Sequence, residues 1–291
     1  MTLRDSPLFA KPQKLNSTEK RFNGLLFTAA LFGIIMVITS RQNEGVKHVC
    51  SLKNKKFRSL YGEYFAEGEK LVYEAFVTGQ NVLKIFVTEK KEVFACELIS
   101  RFSEKYSETE IIVVSENVFA AISEESAPQG VLAVLKIPEN PPISRLTRCL
   151  LLDRLQDPAN VGAILRLAAA AGVTCVFTLS CADAYSPKAL RSSMGGVFRT
   201  TIYGTEESEI VSALKKAGVP LICADMDGEN VFELNPPEKF CLCVGNEGGG
   251  VSDYISENAD LIVKVPMHCG VESLNVGVAA GITLYALTKG K

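Results

Sequence analysis

Three stretches in the second half of the chain combine residues that bind and orient a substrate with glycines that let one approach the backbone. Residues 150–166 read Leu-Leu-Leu-Asp-Arg-Leu-Gln-Asp-Pro-Ala-Asn-Val-Gly-Ala-Ile-Leu-Arg, and offer Asn160 and Arg166. Residues 244–253 read Val-Gly-Asn-Glu-Gly-Gly-Gly-Val-Ser-Asp, and offer Gly245, Asn246, Glu247 and Gly248. Residues 265–276 read Val-Pro-Met-His-Cys-Gly-Val-Glu-Ser-Leu-Asn-Val, and offer Val265, Pro266, Met267, Ser273, Leu274 and Asn275. Each stretch follows an apolar run that reads as a buried strand. In open α/β sheets ligands bind beyond the carboxyl ends of strands, so the three read as one site.

Each stretch alone has a plainer explanation. Asp157-Pro158 opens a helix, with Asp as N-cap and Pro at the first helical position. On that helix Asn160 and Arg166 are six residues apart, about 600° of turn, and do not share a face closely. Arg166 among Ala163, Ile164, Leu165, Leu167 and Ala168 is either a substrate group or an arginine paired to a carboxylate at a helix edge. The glycines of the second stretch permit positive φ and close approach of a ligand. They fit neither Gly-x-Gly-x-x-Gly nor Gly-x-x-x-x-Gly-Lys-Ser/Thr, which leaves dinucleotide or triphosphate binding poorly supported. Ser273 reads as the N-cap of an apolar helix, and Asn275 is placed to do similar work.

The elements that must position these residues follow from periodicity. Between Arg41 and Ile137 the sequence predicts a basic helix over 46–60, a strand over 64–67 and a helix over 68–78. A strand over 82–88, a helix over 90–106, a strand over 111–114, a helix near 118–122 and a strand over 130–136 complete a small α/β domain. No catalytic constellation stands out in it. Pro138, Pro141 and Pro142 break the pattern and mark 138–144 as a linker. From Arg145 to the end, strands are predicted at 149–153, 174–179, 220–224, 240–244 and 261–265, with helices between them, including 159–171 and 274–287. That alternation predicts a mostly parallel sheet covered on both faces.

With 291 residues, 47% of them hydrophobic and 22% charged, the chain can bury more than one core. A net charge of −2 gives no global pull toward nucleic acid. Locally, Arg41, Lys47, Lys53, Lys55, Lys56 and Arg58 face Glu44 alone, either as an ordinary solvated helix face or as a patch for RNA. The nine cysteines are odd in number and scattered, no Cys-x-x-Cys exists and the two histidines are far apart. Neither a zinc site nor a disulfide framework is supported, and reduced cysteines in a cytoplasmic protein fit better. Residues 22–40 carry no charge and are just long enough to cross a bilayer, so this segment reads as a membrane anchor, as a secretory signal that lacks a small-x-small cleavage pattern, or as part of an upstream extension.

Taken together and in this order, the three stretches resemble the motifs of the SpoU (TrmH-like) family of RNA ribose 2′-O-methyltransferases, within the SPOUT class. Asn160 with Gly162 matches its first motif, and Arg166 falls on its catalytic arginine. Gly245-Asn246-Glu247-Gly248 matches the second; Pro266-Met267 and Glu272-Ser273-Leu274-Asn275 match the third. Leu190-Arg191-Ser192-Ser193-Met194-Gly195 resembles the family's Arg-x-Ser-x-Gly segment. Tyr64 to Val72 resembles the L30e-like substrate-binding domain of rRNA-directed members. His268-Cys269 departs from the small or polar residues common after Pro-Met.

The resemblance implies an α/β SPOUT domain over 145–291 with a parallel sheet and a trefoil knot, and a smaller L30e-like α/β domain over 41–137. It implies S-adenosylmethionine as cofactor, held by Gly245, Asn246, Gly248, Val265, Pro266, Met267, Ser273 and Leu274, without a metal. It implies a catalytic set of Asn160, Arg166, Glu247, Ser273 and Asn275, and a homodimer acting on RNA, rRNA before tRNA. A catalytically silent RNA-binding homologue is the alternative. Met36-Val-Ile-Thr-Ser-Arg resembles the family's usual opening, which favours reading residues 1–35 as an extension.

Overall fold

In the computed structural model the described residues are 37–143, 146–268 and 273–288. Two sheets organise them. The first is built from β1 (Glu63–Glu67), β2 (Val82–Thr88), β3 (Glu110–Val114) and β4 (Val131–Lys136), in the order β1-β4-β2-β3. β4 lies antiparallel to both β1 and β2, while β2 and β3 are parallel. Five of the six residues of β4 are buried, as a central strand covered on both faces requires. Helices α3 (Glu69–Val77), α4 (Glu92–Arg101), α5 (Ser103–Tyr106) and α6 (Glu116–Ile122) cover this sheet.

The basic helix expected over 46–60 is two helices, α1 (Glu44–Ser51) and α2 (Lys55–Tyr61). Asn54 breaks it: its side chain accepts a hydrogen bond from the Lys56 amide and restarts the helix as an N-cap. At the other end of the domain, Ile38 bridges Val114 and donates its amide to the Val113 carbonyl at 2.9 Å. Residues 37–40, the end of the uncharged run, thus lie against β3. Residues 1–36, and with them the reading of Met36 as the start, lie outside the described residues. Among the described residues no helix is long and apolar enough to cross a membrane.

The second sheet has six strands, all parallel, in the order β10-β8-β9-β5-β6-β7. They are β5 (Arg148–Asp153), β6 (Cys175–Leu179), β7 (Thr201–Gly204), β8 (Leu221–Asn230), β9 (Phe240–Val244) and β10 (Leu261–Lys264). Helices α7 (Pro158–Ala170), α8 (Pro187–Ser193), α9 (Glu207–Ala217), α10 (Asp253–Glu257) and α11 (Val276–Thr288) connect and cover them. The edge strand β7 is not legible in the sequence because only Ile202 of its four residues is buried. β8 runs past the expected end at Ala224: β10 pairs first with Ile222 and Cys223, then with Glu229 and Asn230. The register jump leaves residues 224–228 unpaired with β10, an arch on that side of β8, while Ala224 still pairs with Val244 of β9.

The two sheets are joined by one buried and two more exposed ion pairs as well as by a shared core. Arg58, 4% exposed, pairs with Asp183 at 2.6 Å and donates its remaining guanidinium nitrogen to the Leu52 and Lys53 carbonyls. Arg191 pairs with Glu125 at 3.1 Å and Arg199 with Glu74 at 2.6 Å. The Tyr64 and Tyr185 rings lie 4.8 Å apart between the sheets.

Candidate active site

The carboxyl ends of β5, β9 and β10 converge, and side chains tie them together. β5 ends on Asp153, whose fully buried carboxylate accepts from the Ser252 amide at 2.6 Å and from Arg154 Nε at 3.1 Å. Arg154 follows with φ +56°, a left-handed conformation uncommon outside glycine. That turn presents the Arg154 carbonyl to Asn246 Nδ2 at 2.9 Å. Asn246 Oδ1 accepts in turn from the Gly248 amide at 2.9 Å, and its backbone pairs both ways with Gly250. A Cβ on Gly245 would fall on the carbonyl group of Gly250, so only glycine allows this loop to close on itself.

Helix α7 brings the next layer. Asp157 caps it by accepting from the Ala159 amide, and Pro158 occupies the first helical position. The Asp157 carboxyl lies below the usual range, first because Lys188 hydrogen-bonds it at 2.7 Å and then because the Ala159 amide does so. Asn160, in the first turn, donates through Nδ2 to Glu247 Oε1 and accepts at Oδ1 from Asn275 Nδ2 at 3.1 Å. The other end of the Asn275 amide, Oδ1, accepts from the Gly277 and Val278 backbone amides at 3.0 and 3.3 Å. Asn275 is therefore the cap of α11, the work the sequence assigns first to Ser273. Glu247, Asn160 and Asn275 form one brace across three strand ends.

Arg166 is one and a half turns further along α7 and outside that brace. It is exposed and, among the described residues, makes no hydrogen bond or ion pair. The carboxylate partner that would give it a structural role is missing there. Its backbone is held from behind: a Cβ on Gly196 would sit 2.6 Å from Arg166 Cα and 2.8 Å from its nitrogen. Gly196 reaches that position through a turn in which Met194 and Gly195 both have positive φ, at +48° and +86°. Gly162 performs the same service nearer the helix start, where a Cβ would collide with the Ala189 carbonyl of α8.

Beside the brace lies a cavity of about 440 Å3, within the size range of small-molecule sites. Gly245, Asn246, Glu247, Gly248, Val265, Met267, Ser273 and Leu274 line it. Pro266 is half-buried next to them without lining the cavity. The rest of the wall includes Asp225, Met226, Asp227 and Lys264, residues over which the sequence reading passes. A signal for them exists, since Asp-Met-Asp-Gly follows an apolar strand as the three recognised stretches do.

A substrate-binding domain model described as MRM3-like matches residues 43–133, and the SpoU rRNA methylase family model matches residues 147–285. A Bacillus subtilis 23S rRNA (guanosine(2553)-2′-O)-methyltransferase, RlmP, is 35% identical over 252 residues, covering 86% of this chain and 98% of the relative. The chain belongs to the SpoU family. A Streptomyces viridochromogenes 23S rRNA (uridine(2479)-2′-O)-methyltransferase is 28% identical, over 85% of this chain and 90% of its own length. The crystal structure of the SpoU methyltransferase AviRb from that organism, in complex with AdoMet, superposes with a TM-score of 0.74 at 27% identity. It covers 86% of this chain and 98% of the other.

As a SpoU protein the chain shows which of its candidate residues are free to act. Ser273 and Arg166 are exposed and uncommitted among the described residues, whereas Asn160, Glu247 and Asn275 hold one another. Glu272 and Cys269 lie outside the described residues. In the basic cluster, Lys55 and Lys56 are exposed on α2, Lys47 pairs with Glu44, and Arg41 donates to the Asn117 carbonyl. Lys53 is tied to the Ala121 and Ser123 carbonyls and to Glu124. Arg58 is a correction: buried against Asp183 at the joint between the sheets, it offers no charge to RNA. Cys149, Cys223, Cys241 and Cys243 are buried, and all eight described cysteines are free thiols. Burial pushes the Cys175 thiol up to about 12 and that of Cys181 up to about 11, which leaves both as packing groups.

Proposed function

We propose that this protein transfers a methyl group from S-adenosylmethionine to a ribose 2′-hydroxyl of 23S rRNA. The observation that carries the reading is the Glu247–Asn160–Asn275 brace, which locks three strand ends around a cavity and leaves Arg166 and Ser273 uncommitted beside it. The glycine loop fits a ligand held by backbone: a Cβ at Gly245 is excluded, and Gly248 and Gly249 stand exposed. When bound, S-adenosylmethionine supplies the methyl on a positively charged sulfur, and the spent molecule leaves with that sulfur neutral. Val265, Met267 and Leu274 give its rings an apolar wall, and Asn246, Gly248 and Ser273 give it polar contacts.

The chain's own contribution is position and charge. Holding two reactants in line lowers a barrier by several kcal/mol, about 7–11 in the best intramolecular cases. Arg166, with the planar fork of N–H donors that suits a phosphate, clamps an RNA phosphate and thereby places the ribose, and the 2′-hydroxyl proton passes to water as the oxygen–methyl bond forms and the carbon–sulfur bond breaks. The 23S rRNA assignment draws on the matched substrate-binding domain and on the named activities of the relatives. Lys55 and Lys56 of α2, both exposed, make the first contacts with phosphate, in a cytoplasmic protein.

A second copy of the chain completes the site in this reading. α11 carries no charged residue, and its exposed Val278 and Tyr285 are seven positions apart on one face. Its Gly281 lies against Leu167, next to Arg166 on α7. Burying this face against a partner brings Arg166 to the interface. The C-terminal trefoil knot implied by the family belongs to the same proposal. Mapping ribose methylation in rRNA and tRNA from cells with and without the protein tests the function. Loss of one 23S 2′-O-methyl group is expected; an unchanged rRNA map with a missing tRNA methyl group contradicts the substrate assignment.

A further inference from the structure

The arch of residues 224–228 is outside all three motif stretches, yet it forms one rim of the cavity. It is a built feature. The Asp227 amide donates to Asp225 Oδ1 at 3.2 Å, which curls the arch and leaves Oδ2 facing the glycine loop. A Cβ on Gly250 would lie 3.7 Å from that oxygen. Gly228 pins the far end to β10, since a Cβ there would come 2.6 Å from the Ile262 carbonyl carbon. Among the described residues, the charged ones lining the cavity are then Asp225, Asp227 and Glu247 against Lys264, three carboxylates to one ammonium, a net charge of −2.

The methyl donor and its spent form have the same shape apart from one methyl group, and they differ by one unit of positive charge at sulfur. A compact volume of about 440 Å3 is about 9 Å across. Any point inside it is within about one Debye length of the rim at physiological salt. The rim thus feels that charge difference wherever the sulfur sits.

We propose that Asp225, with Asp227 on the same arch, makes the site prefer the methyl-donor cation over the neutral product, so that spent cofactor is released after transfer. The inference rests on the methyltransferase reading above. At a separation within the cavity's width of about 9 Å, a carboxylate acting on one unit of positive charge in a water-like dielectric changes the ratio of affinities by about two- to threefold. Lys264 opposes it.

Calorimetric titration of the full chain with S-adenosylmethionine, S-adenosylhomocysteine and sinefungin, a cationic analogue with an amine in place of the sulfonium, tests this. The wild type is expected to bind the two cations more tightly than S-adenosylhomocysteine, and the preference should shrink as KCl rises. Asp225→Asn should weaken both cations about two- to threefold and leave S-adenosylhomocysteine unchanged; Lys264→Gln should widen the preference. Equal loss of all three ligands in Asp225→Asn, or no change in any, overturns the proposal. Wild-type binding of all three with equal affinity overturns it while leaving the methyltransferase reading intact. Binding of none overturns both.

Discussion

At the scale of single residues, the proposed chemistry rests on Arg166. Asn160, Glu247 and Asn275 have their polar groups turned toward one another or toward a helix start, which makes them positioning residues. Arg166→Ala is expected to lower methyl transfer about a hundredfold or more, the usual cost of removing one charge-stabilising donor. S-adenosylmethionine affinity, read by calorimetry, should stay within about twofold; a parallel loss of both would move Arg166 into the cofactor site. Residue types and spacing made Arg166 legible, because a charge in an apolar helical run needs a reason. The division of labour was not legible. That Asn275 caps α11 while also bracing Asn160 depends on which atoms meet across 115 positions of chain.

A second residue-scale test concerns Glu67, 7% exposed beside the joint between the sheets. Burial pushes its carboxyl above the usual range, opposed by hydrogen bonds from Ser123 and the Glu124 amide. With the folded value above the unfolded one, its stabilising contribution is full at pH below the ordinary carboxylate range. It is lost as pH rises through the folded value. Glu67→Gln, neutral throughout, should therefore melt at a higher temperature than the wild type at pH 7.5. The gap should close as pH falls toward 4. A gap independent of pH would contradict the burial account.

At the scale of elements, glycines set how closely loops and helices approach. Gly245→Ala places a methyl group on the Gly250 carbonyl, so the loop must open. Cofactor affinity should fall more than about tenfold, while thermal unfolding shifts by the few degrees of a local clash of about 1–3 kcal/mol. Gly196→Ala pushes on the Arg166 backbone instead, and should reduce methyl transfer while leaving calorimetric cofactor binding intact. If both variants lose binding together, the two glycines do not serve separate parts of the site. The run of glycines after β9 could be read from the sequence. Gly162 was legible only as a motif residue and Gly196 not at all, since their packing roles come from α7 lying against α8 and its following turn. The arch in β8 stayed hidden for a related reason: only pairing with β10 shows that Glu229 and Asn230 rejoin the ladder.

Across the whole molecule, the substrate-binding half is fastened to the catalytic half. Arg58 looked like one more cation in a basic run, and the structure places it in a buried pair with Asp183. Removing one member of such a pair typically costs about 3–5 kcal/mol. Arg58→Ala should therefore lower the unfolding free energy by about 3 kcal/mol in denaturant titration, whereas Lys55→Ala and Lys56→Ala should weaken rRNA binding without changing stability. Equal effects of all three would erase the distinction between joint and surface. The α/β alternation and the parallel sheet followed from strand–helix periodicity, but the charges that dock one half on the other are long-range and have no periodic signature. The claim that joins all scales is ribose methylation of 23S rRNA that depends on Arg166. Incubating unmethylated 23S rRNA with the protein and methyl-labelled S-adenosylmethionine, then identifying the labelled nucleoside by mass spectrometry, tests it most directly. The expected result is a 2′-O-methyl nucleoside at one position, absent with Arg166→Ala; label on a base, or full transfer by Arg166→Ala, would contradict it.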